Sequence, residues 1–291
     1  MRELSDVPAR LRAMDGLGVD VQVIYPTLFL VEGVQRPEVD LAVRRSYNRW
    51  LADRCGQSGG RLRWVCLPPY RNIDKAVEEL RFAKDHGACG VLKKGNDEAD
   101  HWVGDEYFFP VYEEAEKLGM PICFHTGSGI PDFSPAREFP RTRFLRMGMP
   151  VPNAFESLIS FGLTKQFARL RFGFIEAGSS WVPFLYYYLK RRNERLGEGE
   201  GRFGRQGFGW SDNLLHDNRM YVTCQVDEDL PYILKYAGED NLMIGSDFVH
   251  GDSSTELHFV DMLRQRADAG EISHGAVKKM LDDNPRTFYG L

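Results

Sequence analysis

The feature that most constrains this chain is an alternation. Short apolar runs are each followed by a turn signal and then by a stretch with apolar residues at helical spacing, and the unit recurs along the whole sequence. The runs begin at Val19 (VDVQVIY), Leu62 (LRWVCL), Ala88 (ACGVLK), Met120 (MPICFH), Leu170 (LRFGFIE), Met220 (MYVTCQ) and Leu242 (LMIGS). Between and after them, helices are expected over Ser5–Met14, Pro37–Cys55, Ile73–Asp85, Phe108–Leu118 and Asn153–Phe167. Others are expected from Trp181 to Arg192, near Leu230–Tyr236, and over Ser254–Ala269 and Ser273–Leu281. Strands and helices in alternation give a parallel sheet with right-handed crossovers. Seven strands are one short of a closed (β/α)8 barrel. The expectation is therefore an α/β, TIM-like barrel whose first strand is missing, with residues 1–291 as a single, N-terminally incomplete domain. An open doubly wound sheet is the alternative, but it usually carries a glycine-rich phosphate loop after an early strand. The loose glycine spacing at Arg202–Gly209 (RFGRQGFG) follows no strand.

In parallel barrels the site forms at the C-terminal strand ends. His125 ends MPICFH just before a Thr-Gly-Ser turn, Glu176 ends LRFGFIE, and Asp247 and His250 follow the Leu242 run. Imidazole and carboxylate are ligand types for a divalent ion, and a ligating histidine needs its second nitrogen fixed by an outer acceptor. The competing roles are a core histidine bonded to backbone for His125 and a helix N-cap for Asp247. Glu176 reads as ligand, outer partner or base, against a salt bridge to an arginine; His250 reads as a support for Asp247 or a substrate contact. Arg137, Arg141, Arg143 and Arg146 crowd the long loop after His125. Arginine forks bind carboxylates bidentately and long loops often act as lids, so Arg141 and Arg143 are candidates for holding a carboxylate-bearing substrate, against a solvated face. Trp181 is a candidate for the core or for a pocket wall that meets substrate.

Charge and cysteine usage exclude other classes. The chain carries 37 basic and 42 acidic residues, a net charge of −5, with no dense Lys/Arg block, which leaves no footprint for nucleic acid or an anionic membrane. The five cysteines are odd in number and form no CxxC pair, as expected of reduced thiols in the cytoplasm. No apolar run reaches the length of a membrane-spanning helix, and the charged start does not resemble a signal peptide. Neither a GxSxG elbow nor a P-loop occurs.

Several of these strand ends also carry a resemblance. PTLF after the first run, PICFHTG, RFGFIEAGSSWVP, LMIGSDFVHGD and the closing NPRTFYGL, in that order, resemble the amidohydrolase-related family. That branch of the amidohydrolase superfamily includes aminocarboxymuconate-semialdehyde decarboxylase. The resemblance implies a TIM-like barrel with one divalent metal, zinc ahead of manganese. Its implied ligands are an HxH pair after the first strand, a histidine after the fifth and an aspartate after the eighth. His125 and Asp247 match the last two, with Asp247 also a proton acceptor, while no two of the seven histidines are separated by one residue. The missing pair agrees with the strand count, so an N-terminally truncated copy is expected, with edges left open on the second and eighth barrel strands. Many decarboxylating members have a histidine after the sixth strand, where this chain has Glu176. Lys93 and Lys94 end the fourth strand, one expected in the barrel interior and one on the surface. The implied activity is hydrolysis of a C–N or C–O bond, or removal of carboxylate from a small aromatic or unsaturated acid, by a homodimer. The rival is an inactive fragment or pseudoenzyme that only binds a ligand at the barrel mouth, since two ligands do not hold a catalytic zinc.

Overall fold

Seven strands pair in parallel and in chain order. In a computed structural model describing residues 4–30, 34–95, 97–127, 144–195, 208–251 and 255–291, they are β1 (Gln22–Ile24), β2 (Leu62–Cys66), β3 (Ala88–Lys94), β6 (Ile122–His125), β7 (Phe172–Ile175), β8 (Met220–Cys224) and β9 (Leu242–Ile244). A short antiparallel hairpin of β4 (Asp97–Glu98) and β5 (His101–Trp102), absent from the sequence expectation, sits after β3. A doubly wound sheet would reverse its strand order at a switch point, whereas a barrel wall does not. The fold is thus a TIM-type α/β architecture seen as a half-barrel. Among the described residues β1 and β9 share no ladder, and β1 is half-buried along its length.

The sheet is packed on both faces. Outward residues such as Trp64, Ile122, Phe124, Phe172 and Val222 meet the helices through Leu80, Tyr112, Phe155 and Leu263. Inward residues, among them Val65, Leu92, Cys123, Ile175 and Met243, meet Phe288 and Tyr289 instead. These two come from the last helix, Asn284–Tyr289, so the end of the chain fills the concave side of the sheet. Gly173 on β7 makes room for this: a Cβ there would stand 2.3 Å from Phe288 Cζ. Arg171 Nε donates to Phe288 O at 2.8 Å, and the Tyr289 and Tyr25 hydroxyls lie 2.6 Å apart.

Several element boundaries differ from the sequence expectation. The Asn153–Phe167 segment is two helices, Pro150–Ser160 and Leu163–Gln166, because Gly162 takes a left-handed φ of 71°. The Ser254–Ala269 helix spans only Phe259–Asp268. The helix Pro37–Gly56 turns inward a face that apolar spacing does not mark. It buries Asp40, Arg44 and Asn48 alongside Leu51 and Cys55, while Val43 and Trp50 are 37% and 39% exposed. The physical reason is pairing: Asn48 exchanges two hydrogen bonds with the Leu67 backbone, and Arg44 sits on Asp40 and Glu98. Buried polar groups are held by such partners.

The Gly173 contact is directly testable. Overpacking a well-filled core costs about 1–3 kcal/mol, so Gly173→Ala should lower the free energy of unfolding in urea by that amount, and adding Phe288→Leu should recover part of it. A Gly173→Ala protein as stable as the parent would contradict this packing.

Candidate metal centre

Alternation along β6 puts Cys123 and His125 on the same, inward side, and His125 is only 3% exposed. Its Nδ1 lies 2.8 Å from Thr126 O. A carbonyl only accepts, so this bond assigns the proton to Nδ1 and leaves the Nε2 lone pair aimed outward. What it faces is Glu176 Oε2, at 2.9 Å. Two acceptors at that distance repel unless a proton or a cation lies between them.

Glu176 follows β7, which pairs His125 with Ile175 in register. Its backbone sits at φ 56°, and its N–H donates to Thr223 Oγ1 of β8 at 2.9 Å. Asp247, three residues past β9, is also left-handed at φ 45°. For residues with a side chain this conformation costs about 1–2 kcal/mol each, and such strain is held in place where function requires a side chain to be aimed. Asp247 Oδ2 lies 2.9 Å from His250 Nδ1, and His250 Nε2 lies 3.1 Å from Thr27 Oγ1.

One ligand atom each from Glu176, Asp247 and His250 all lie within 4.8 Å of one another. Two atoms each about 2.2 Å from a shared ion can be at most about 4.4 Å apart, so a few tenths of an ångström of contraction would let one ion meet all three. His125 stands beside them through its contact with Glu176. The set fits a divalent cation. Two carboxylates bring compensating charge, the mixed oxygen and nitrogen donors suit zinc or manganese, and the facing acceptors of His125 and Glu176 call for positive charge between them.

The four strand-end residues singled out in the sequence are thus brought together. Trp181 is not: it packs on Phe155 and Phe174 of the outer core, with ring centroids 5.2 and 6.0 Å away, and donates to Gly178 O. Arg137, Arg141 and Arg143 lie outside the described residues. Lys93 and Lys94 are both buried, which corrects the expectation of one surface lysine. Sequence reasoning missed Thr27, Thr223 and Tyr25, whose ring lies 5.2 Å from the His125 ring. Their signal was position, at or just past the ends of β1 and β8.

A sequential parallel sheet with nitrogen and oxygen donors gathered at its C-terminal ends is the architecture of a barrel protein with a candidate metal site. A family model described as amidohydrolase matches residues 2–291, and the chain belongs to that family. It is 22% identical over 252 residues to a 2-amino-3-carboxymuconate-6-semialdehyde decarboxylase of Dictyostelium discoideum, covering 84% of this chain and 66% of that protein. The chain therefore spans slightly less than two thirds of that curated relative. An amidohydrolase of Mycobacterium avium subsp. paratuberculosis superposes with a TM-score of 0.81 at 22% identity, over 98% of this chain and 73% of that one. A dihydroxybenzoic acid decarboxylase of a Polaromonas species, solved with manganese and an inhibitor, gives 0.78 at 18% identity, over 97% and 85%.

Next to this cluster the end of β3 is braced by buried charge. Lys94, opposite His125 in register, donates its N–H to Glu98 Oε2 at 2.9 Å, and Arg44 reaches Glu98 Oε1 at 3.4 Å. The Lys93 ammonium lies 3.9 Å from the Phe108 ring centre. Burial by itself pushes the Glu98 carboxyl up, but Lys94, Arg44 and Lys93 together outweigh it and hold the group below its ordinary value of 4.5. A depressed folded-state pKa gives stability that is complete above 4.5 and lost as the pH falls below it. Glu98→Gln should therefore flatten the acid limb of a plot of melting temperature against pH. At pH 7 it should cost about 3–5 kcal/mol, the usual penalty for breaking a buried pair. An unchanged acid limb would remove Glu98 from this role.

Proposed function

We propose that this protein is a metal-dependent carboxy-lyase that removes a carboxylate from a small aromatic or unsaturated acid. The observation that carries the reading is the convergence of Glu176, Asp247 and His250, with His125 against Glu176, at the C-terminal ends of the strands. Decarboxylases of carboxymuconate semialdehyde and of dihydroxybenzoic acid among its relatives favour decarboxylation over hydrolysis. On this reading His125, Glu176 and Asp247 would hold one zinc or manganese ion, while His250, whose nitrogens already face Asp247 Oδ2 and Thr27 Oγ1, stands beside it as a proton carrier; the ion would polarise an oxygen of the substrate. Residues 1–291 belong to a single amidohydrolase-type barrel domain, in a cytoplasmic homodimer of the kind the family resemblance implies.

The remaining chemistry falls to side chains. The Thr126 bond keeps the proton of His125 on Nδ1, so Nε2 stays available as a ligand. Asp247 and His250 are hydrogen-bonded, and Thr27 on the far nitrogen keeps the His250 ring from turning away. When the bond to the leaving carboxylate breaks, its electron pair stays on the substrate carbon. A proton from the Asp247–His250 pair then closes the new C–H bond as CO2 departs. The pair is half-buried, and Thr27 is exposed, so the pair can be recharged from solvent. Tyr25 beside His125 supplies an aromatic wall.

Elemental mass spectrometry on purified protein tests this. About one equivalent of zinc or manganese per chain is expected, with His125→Ala and Asp247→Ala each lowering metal affinity by at least about 10-fold. The loaded protein should release CO2 from dihydroxybenzoates or carboxymuconate-type acids. Metal-free protein, or full metal content in Asp247→Ala, would contradict the proposal and leave a binding role at the barrel mouth.

A further inference from the structure

The turn that carries Glu176 is held by a residue outside the cluster. Glu228 lies in the loop after β8, and its carboxylate spans the gap to the Glu176–Trp181 turn. Its Oε1 accepts from Ser179 N at 2.8 Å, Ser180 N at 2.7 Å and Ser180 Oγ at 2.6 Å. Its Oε2 accepts from Ser179 Oγ at 2.7 Å, Ser179 N at 3.1 Å and Gln225 N at 2.8 Å. Backbone donors thus face both oxygens. A carboxylate can accept on both; an amide can accept on only one.

The loop that offers this carboxylate is fixed in turn. Arg266 Nη1 donates to Val226 O at 2.5 Å and to Glu228 O at 2.8 Å. The turn being held is strained at Glu176, which sits at φ 56°; Gly178 takes φ 62°, as glycine does freely, and a Cβ there would stand 3.1 Å from Glu228 Oε1. Relaxing Glu176 out of the left-handed region would swing its side chain away from His125. The Thr223 hydroxyl on its N–H, the Trp181 indole N–H on Gly178 O and the Glu228 clamp three and four residues downstream oppose this.

We infer that Glu228 is a positioning residue for the metal centre, fixing the Gly178–Ser180 backbone and so aiming the Glu176 carboxylate at His125. The inference rests on the metal-centre reading above. It also means that the donors ahead of the helix Val182–Arg195 are already filled by the protein's own carboxylate and are not free for a substrate anion.

The test is Mn2+ titration, followed by the loss of the free-ion electron paramagnetic resonance signal, with melting temperatures measured alongside. Glu228→Gln should weaken Mn2+ binding about 10-fold, within the range set by residues that orient ligands. The double variant Glu176→Gln/Glu228→Gln should bind no more weakly than Glu176→Gln, because the clamp acts only through Glu176. Ser180→Ala removes one hydroxyl from the clamp and spares its backbone donors, so it should weaken binding by a smaller factor and serves if Glu228→Gln does not fold. Wild-type affinity in the clamp variants, or losses that multiply in the double variant, would overturn the inference alone. A parent protein that binds no Mn2+, or binds it equally well with Glu176→Gln, would overturn the metal-centre reading and this inference with it.

Discussion

The contact on which the site depends is between His125 and Glu176. His125 Nε2 and Glu176 Oε2 are 2.9 Å apart, and the bond from His125 Nδ1 to Thr126 O assigns the ring's proton to the other side. The parallel ladder enforces the meeting. β6 and β7 run in register up to His125 and Ile175, and the pairing continues past the strand ends through Thr126 N to Ile175 O. A proton or a cation between the two groups would satisfy both, and Asp247 and His250 lie close enough to Glu176 to offer a cation further ligand atoms.

The surroundings use rigidity rather than a large apolar pocket to maintain this. The carboxylates sit on left-handed backbone, each tied by hydrogen bonds: Glu176 to Thr223 of β8, and the Asp247–His250 turn to Thr255 further along its own loop. Beneath them Phe288 and Tyr289 close the concave side, so the strand ends stand on a packed floor rather than over an open lumen. Beside them the Glu98 network holds β3 with paired charges, where a lone buried charge would be costly.

Much of the fold was legible because its signals are local. Seven apolar runs gave seven strands, and the helix Ile73–Asp85 appears with the bounds its pattern indicates. The inward face of Pro37–Gly56 was not legible, since Arg44 and Asn48 are buriable only through partners that folding brings from Glu98 and Leu67. The same holds at the site. His125, Glu176, Asp247 and His250 could be picked out because strand ends are where such chemistry sits, but the sequence did not show which of them would touch. Thr223 and Glu228 carry no motif at all, and their part depends on the β7 and β8 loops lying side by side. Of the two readings of Trp181, core or pocket wall, the packing of its ring on Phe155 decides for core, a choice that depends on contacts made only in the folded chain.

The most direct test of the account is anomalous diffraction from crystals of this protein grown with manganese or zinc. One strong peak is expected within bonding distance of His125 Nε2 and the carboxylates of Glu176 and Asp247. A peak elsewhere, or a map in which His125 and Glu176 keep their contact with no ion beside them at saturating metal, would contradict it.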